Sequence, residues 1–106
     1  MAETAFVSVA RAGDMPPGTI HALTHEGLDF ALANVDGTFH AIQGHCPHLQ
    51  GPLGHGRLNG CVLSCPFHGW QFDVTTGMNE FDHAITIERY EVAVEDGEVC
   101  VALPRG

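Results

Sequence analysis

Lysine is absent from the 106 residues, and only four arginines face thirteen acidic residues, for a formal net charge of −9 at pH 7. Nucleic acid and anionic membranes both select clustered positive charge, so neither is an expected partner. The acidity either keeps the protein soluble or meets a partner that is basic where it touches. No apolar run approaches the roughly 20 residues of a membrane-spanning helix. The N-terminus, Met1 to Ala10, has no basic lead and only a short apolar stretch before Arg11, unlike a secretory signal, so a cytoplasmic location is expected. No internal repeat, linker or low-complexity segment marks a boundary, and a chain of this length supports one core, so residues 1–106 are expected to form a single domain.

Helical periodicity is also missing: no stretch sustains it over three turns. Thirteen glycines and six prolines are spread through the chain in turn-like places, and the pattern predicts an all-β fold. Asp96-Gly97 reads as a two-residue hairpin turn that sets Val94 opposite Val99, Val92 opposite Val101 and Tyr90 opposite Leu103. Ile85 and Ile87 have the opposite parity to Tyr90, Val92 and Val94, so a bulge or break is expected near Glu88-Arg89. Asp36-Gly37 and Asn59-Gly60 mark two further hairpins, and strands are expected near 5–9 and 19–24, separated by a turn at Pro16-Pro17-Gly18. Residues 43–82 are different in kind. They are rich in Gly, His, Cys and Pro and poor in strand pattern, which suggests a loop-built subdomain inserted in a β scaffold.

Within that insertion lie Cys46-Pro47-His48 and, after a short hairpin, Cys65-Pro66-Phe67-His68. Each loop offers one thiolate and one imidazole. Two cysteines and two histidines could close a structural zinc site, although zinc fingers usually pair cysteines in one knuckle and histidines on another element. A two-iron cluster accounts directly for the mixed loops, since each iron takes two protein ligands and each loop can serve both.

The boxes C-P-H-L-Q-G-P-L, from Cys46, and C-P-F-H-G-W-Q-F-D, from Cys65, resemble the paired ligand boxes of the Rieske ferredoxin family. The likeness extends to Thr76-Gly77 and to the stretch from Tyr90 to Val99, and so covers most of the chain. It implies a Rieske fold: an antiparallel β-sandwich base with the inserted, loop-rich cluster-binding subdomain at one end. It also implies one Rieske-type 2Fe-2S cluster per chain, ligated by Cys46 and Cys65 on an inner iron and by His48 and His68 on an outer one. High-potential respiratory members carry a disulfide between the boxes and a Ser after the second His-Gly, where this chain has Gly51, Phe67 and Trp70. The resemblance therefore implies a low-potential carrier, near the bottom of the Rieske range at about −150 mV.

In function, the resemblance is to the ferredoxin component of bacterial multicomponent ring-hydroxylating dioxygenases. Such a protein is an electron carrier and not itself an enzyme. It takes one electron from an NAD(P)H-dependent flavoprotein reductase and gives it to a terminal oxygenase, through transient contacts and as a monomer, in the catabolism of aromatic hydrocarbons. The alternatives are a small subunit of an assimilatory nitrite reductase and a structural zinc module. His21, His25, His40, His45, His55 and His83 are expected to be non-ligands, and Cys61 and Cys100 to be buried thiols in strands. Leu49, Pro66 and Phe67 are expected to shield the cluster from water. Trp70 is expected to cap the core below it. Met78 to Ala84 replaces a proline-bearing loop found in many members.

Overall fold

The structure is a computed structural model that describes residues 3–47, 50–67 and 69–105. Among the described residues, ten strands make up three antiparallel sheets. β1 (Glu3–Arg11), β10 (Glu98–Arg105) and β9 (Val92–Glu95) form the first, in the order β1-β10-β9. β2 (Ile20–His25), β3 (Leu28–Val35), β4 (Thr38–Gln43) and β8 (Arg89–Tyr90) form the second, in that order. β5 (Arg57–Asn59), β6 (Val62–Ser64) and β7 (Gln71–Asp73) form the small third sheet inside the 43–82 segment.

The hairpin turns fall largely where local chemistry puts them. Val35 pairs with Thr38 across Asp36-Gly37, and Glu95 with Glu98 across Asp96-Gly97. All four turn residues have positive φ, the type I′ geometry whose twist matches the flanking strands. Val94 and Val92 pair with Val99 and Val101 as expected. Tyr90 does not pair with Leu103. The chain leaves the ladder at Glu91, and Tyr90 pairs instead with Ala41 on the second sheet, so β8 and β9 are successive segments belonging to different sheets. The expected break near Glu88-Arg89 is present, since Ile87 and Glu88 lie outside any strand and β8 begins at Arg89, and a second break follows at Glu91. The Asn59-Gly60 hairpin is also displaced by one residue: Asn59 pairs with Val62, and the turn is Gly60-Cys61, with Gly60 at φ +62°.

β3 explains the layering. Residues Phe30 to Asn34 are buried without alternation, because the second sheet is covered on both faces. On one face Phe30 and Leu32 pack with Met15, Val99, Val101 and Leu103 to make the base sandwich. On the other, Ala31 joins Ile42, Leu53, Leu63, Phe72 and Val74. Each fully buried Phe, Leu or Ile contributes about 1.5–3 kcal/mol relative to an exposed one. The second core is continuous with the cysteine loops, so the base supports the inserted segment by packing as well as by chain connection. Asn34, 4% exposed, satisfies its side chain locally: its Nδ2 donates to the Met15 carbonyl at 2.6 Å and its Oδ1 accepts from the Gly37 amide at 2.7 Å.

Candidate metal centre

The first loop leaves β4 at Gln43 and returns along a 3-10 turn, Leu53–His55, that packs on β2. Gly54 makes this approach possible, since a Cβ there would stand 2.4 Å from the Cα of Ala22. Gln43 braces the departure: its Nε2 donates to the His45 carbonyl and its Oε1 accepts from the Glu88 amide, each at 2.7 Å. The Cys46 amide donates to the Gly51 carbonyl at 2.7 Å, which closes the loop on itself. The second loop is closed in the same way, with the Cys65 amide donating to the Trp70 carbonyl at 2.7 Å.

Cys46 is fully buried, Cys65 is 2% exposed, and both belong to the core that includes Leu53, Leu63 and Phe72. The two loops meet at buried Gly51, whose Cα faces the Cys65 sulfur and the Phe67 ring. The Phe67 amide donates to Cys65 Sγ at 3.4 Å. An N–H directed at a cysteine sulfur stabilises negative charge on it and is one of the means by which a protein tunes an iron–sulfur centre. Two buried free thiols on two closed loops, with a cradle that admits only glycine at 51, are a donor set that suits a shared thiolate-held cluster. His48, Leu49 and His68 lie outside the described residues.

Three of the other six histidines have polar partners elsewhere. His45 Nε2 lies 3.8 Å from Asp29 Oδ2, His25 is 3.4 Å from Glu26, and Arg89 Nη2 is 3.4 Å from His40 Nδ1. Burial and the Arg89 guanidinium hold His40 below its usual pKa. Among the described residues no group of three or more His, Cys, Asp or Glu is gathered closely enough to hold a metal ion.

The two spare cysteines are free thiols, half-buried rather than buried, and only Cys100 lies in a strand. Cys61 sits in the turn, where burial and the nearby Asp73 carboxylate push its thiol above the usual pKa. Burial also raises the Asp73 carboxyl, but the Thr75 hydroxyl and amide and the Cys61 thiol outweigh this and leave it below its usual range. Cys61 therefore stays protonated, a poor ligand and nucleophile.

Pro66 and Phe67 correct the expectation of a water-excluding wrap. Both are exposed, Phe67 by 46%, because the second loop ends at the protein surface. Trp70 does pack on the core that holds both cysteines, and its ring meets Phe81 edge-on at a centroid distance of 5.1 Å. The sequence reading missed Gln43 and Asn79. Each braces backbone from a distance in the chain or across a turn, and polar residues in those places carry no motif.

Comparison with known proteins agrees with this geometry. Residues 5–91 match the family described as the Rieske [2Fe-2S] domain. Ferredoxin CarAc of Metapseudomonas resinovorans is 38% identical over 99 residues, covering 92% of each chain. The biphenyl dioxygenase ferredoxin subunit of Pseudomonas sp. strain KKS102 is 30% identical over 102 residues, covering 94% of each. Among solved structures, a chain from the complex of reduced oxygenase and oxidized ferredoxin in carbazole 1,9a-dioxygenase superposes with a TM-score of 0.85 at 38% identity, over 92% of both chains. A putative NADH-dependent nitrite reductase small subunit from Mycobacterium tuberculosis reaches a TM-score of 0.84 at 19% identity, a likeness of fold alone. The zinc alternative gains nothing from any of these. The chain belongs to the Rieske [2Fe-2S] domain family, and its cofactor is a Rieske-type 2Fe-2S cluster.

Proposed function

We propose that this protein is the ferredoxin of a ring-hydroxylating dioxygenase system, carrying one electron at a time from an NAD(P)H-dependent flavoprotein reductase to a terminal oxygenase. In this proposal the cluster is held by Cys46, His48, Cys65 and His68. When bound, it supplies a site that accepts and releases a single electron. The chain's residues do the rest: Gly51 lets the two loops close, the Phe67 amide polarises the Cys65 sulfur, and the shared core keeps water from the thiols. Rigid closure of both loops favours fast electron exchange, because little has to move when the charge changes.

The observation that carries this reading is the pair of buried cysteines on loops joined at Gly51, in a chain that matches ferredoxin components along nearly its whole length. A cytoplasmic monomer, with residues 1–106 as one domain and 43–82 as its cluster-binding part, belongs to the same proposal. The nitrite reductase alternative is supported by fold only.

The test is reconstitution. Purified protein with equal iron and acid-labile sulfide, mixed with reductase, NADH or NADPH, and oxygenase, is expected to couple nicotinamide oxidation to hydroxylation of an aromatic substrate. Purification as a tight complex with a large sirohaem-type reductase would overturn the proposal in favour of the nitrite reductase subunit.

A further inference from the structure

The segment after β7 is built as a presenting platform. Residues 77–80 run between β7 and residues 85–87. The Asp73 amide donates to the Met78 carbonyl at 2.9 Å and the Glu80 amide to the Gln71 carbonyl at 2.8 Å. On the other side, the Asn79 amide donates to the Ile85 carbonyl at 2.9 Å and the Ile87 amide to the Gly77 carbonyl at 2.8 Å. Asn79 is fully buried, and its Oδ1 accepts from the amides of both Phe81 and Asp82 at 3.0 Å. Asp82 Oδ1 accepts in turn from the Ala84 amide at 3.0 Å. The tip is thereby held in one conformation.

What this rigid tip presents is Phe81, 65% exposed and the most exposed of the large hydrophobic side chains described. Its only ring partner among the described residues is Trp70, which leaves most of the phenyl surface in water. Glu80 and Asp82, both exposed, flank it, and between Met78 and Ala84 there is no lysine or arginine. Continuity with the cluster loops is direct: Trp70 touches Phe81 by its ring and accepts from the Cys65 amide through its carbonyl.

We infer that Phe81, rimmed by Glu80 and Asp82, is a docking anchor that selects the terminal oxygenase, inserting into an apolar pocket bordered by Lys or Arg. This rests on the proposed function. A pre-ordered aromatic pays little entropy on binding, and an acidic rim steers a basic surface while adding salt dependence. An oxygenase must distinguish its own electron donor from other small acidic carriers, and a side chain packed on Trp70 of the second cysteine loop allows that discrimination without altering the cluster.

The experiment uses the cluster-loaded, full-length protein with the terminal oxygenase and the reductase from the same source. KM and kcat are measured for the ferredoxin at each enzyme. Phe81→Ala is expected to raise KM at the oxygenase about tenfold with kcat little changed. Phe81→Tyr should restore it. Glu80→Gln combined with Asp82→Asn should raise the same KM and flatten its dependence on ionic strength, while the carboxamide oxygen introduced by Asp82→Asn still accepts from the Ala84 amide. Reduction potential and electron paramagnetic resonance spectrum should match wild type in both Phe81 variants. An unchanged KM at the oxygenase, a loss confined to the reductase, or a shifted potential in Phe81→Ala would each overturn the inference. If the wild-type protein itself delivers no electrons to the oxygenase, the proposed function fails and the inference fails with it; a competent wild type with an indifferent Phe81→Ala defeats the inference alone.

Discussion

Gly51 lies so close to Cys65 that a Cβ at position 51 would stand 2.6 Å from the sulfur and 3.1 Å from Cβ of Phe67. Gly51 does not have a positive φ, so the requirement for glycine is one of space and not of backbone conformation. Gly51→Ala must therefore push the two loops apart. Overpacking of this kind costs about 1–3 kcal/mol. The expected result is a lower melting temperature and less than half of the wild-type iron and sulfide per chain. Full loading with an unchanged melting temperature would show that the loops can separate without loss of the site.

Ligand substitutions should divide the cysteines and histidines into two classes. Cys46→Ser, Cys65→Ser, His48→Ala and His68→Ala are each expected to abolish the brown colour and the low-temperature paramagnetic signal of the reduced protein. Cys61→Ser and Cys100→Ser should leave both intact, since neither thiol is directed into the core that holds Cys46 and Cys65. A colourless Cys61→Ser protein would refute the assignment. Removing the iron with a chelator should lower the melting temperature, because metal binding to the native state alone adds to its stability.

Gly51 and Phe67 leave no disulfide between the loops, and Trp70 has no hydroxyl to donate. The Phe67 amide donates to Cys65 Sγ at 3.4 Å, an ordinary length for a sulfur acceptor, and the hydroxyl donor that would add to it is missing. A potential near the low end of the Rieske range, about −150 mV, follows. Protein-film voltammetry giving a clearly positive value would show that other donors to the sulfurs dominate.

His40 and Asp73 both make the native state weaker in acid. Burial and Arg89 hold the His40 imidazole below its usual value of 6.5, so the unfolded chain binds its proton first as pH falls. The stability this contributes is present above pH 6.5 and is lost as the pH drops through the folded-state value. Asp73, held below 3.8, loses its contribution at still lower pH. His40→Gln should therefore show a shallower fall in melting temperature than wild type below pH 6.5, and the same slope above it. Both proteins must be compared fully loaded. Parallel curves throughout would mean that His40 contributes nothing to the acid sensitivity.

Local chemistry was enough to place much of this protein. Asp36-Gly37 and Asp96-Gly97 specify their turns because two adjacent residues must take positive φ, and that constraint is written in residue type. The two Cys-His boxes that carry the proposed ligands stand out as plainly, since a thiol and an imidazole at fixed spacing in each of two loops have few other uses. Parity misplaced Tyr90, however, because whether a strand stays in its sheet depends on which neighbour offers free hydrogen-bonding groups, here Ala41 on β4. The unbroken burial of Phe30 to Asn34 likewise follows from cover on both faces, which no alternation within β3 could announce. Sequence alone offered the proposed donor set and determined the two Asp-Gly turns. Only the tertiary structure decided that Gly51 abuts Cys65, that Asn79 braces the tip and that Phe81 stands out from it, because each is a contact between chain segments whose approach is set by packing.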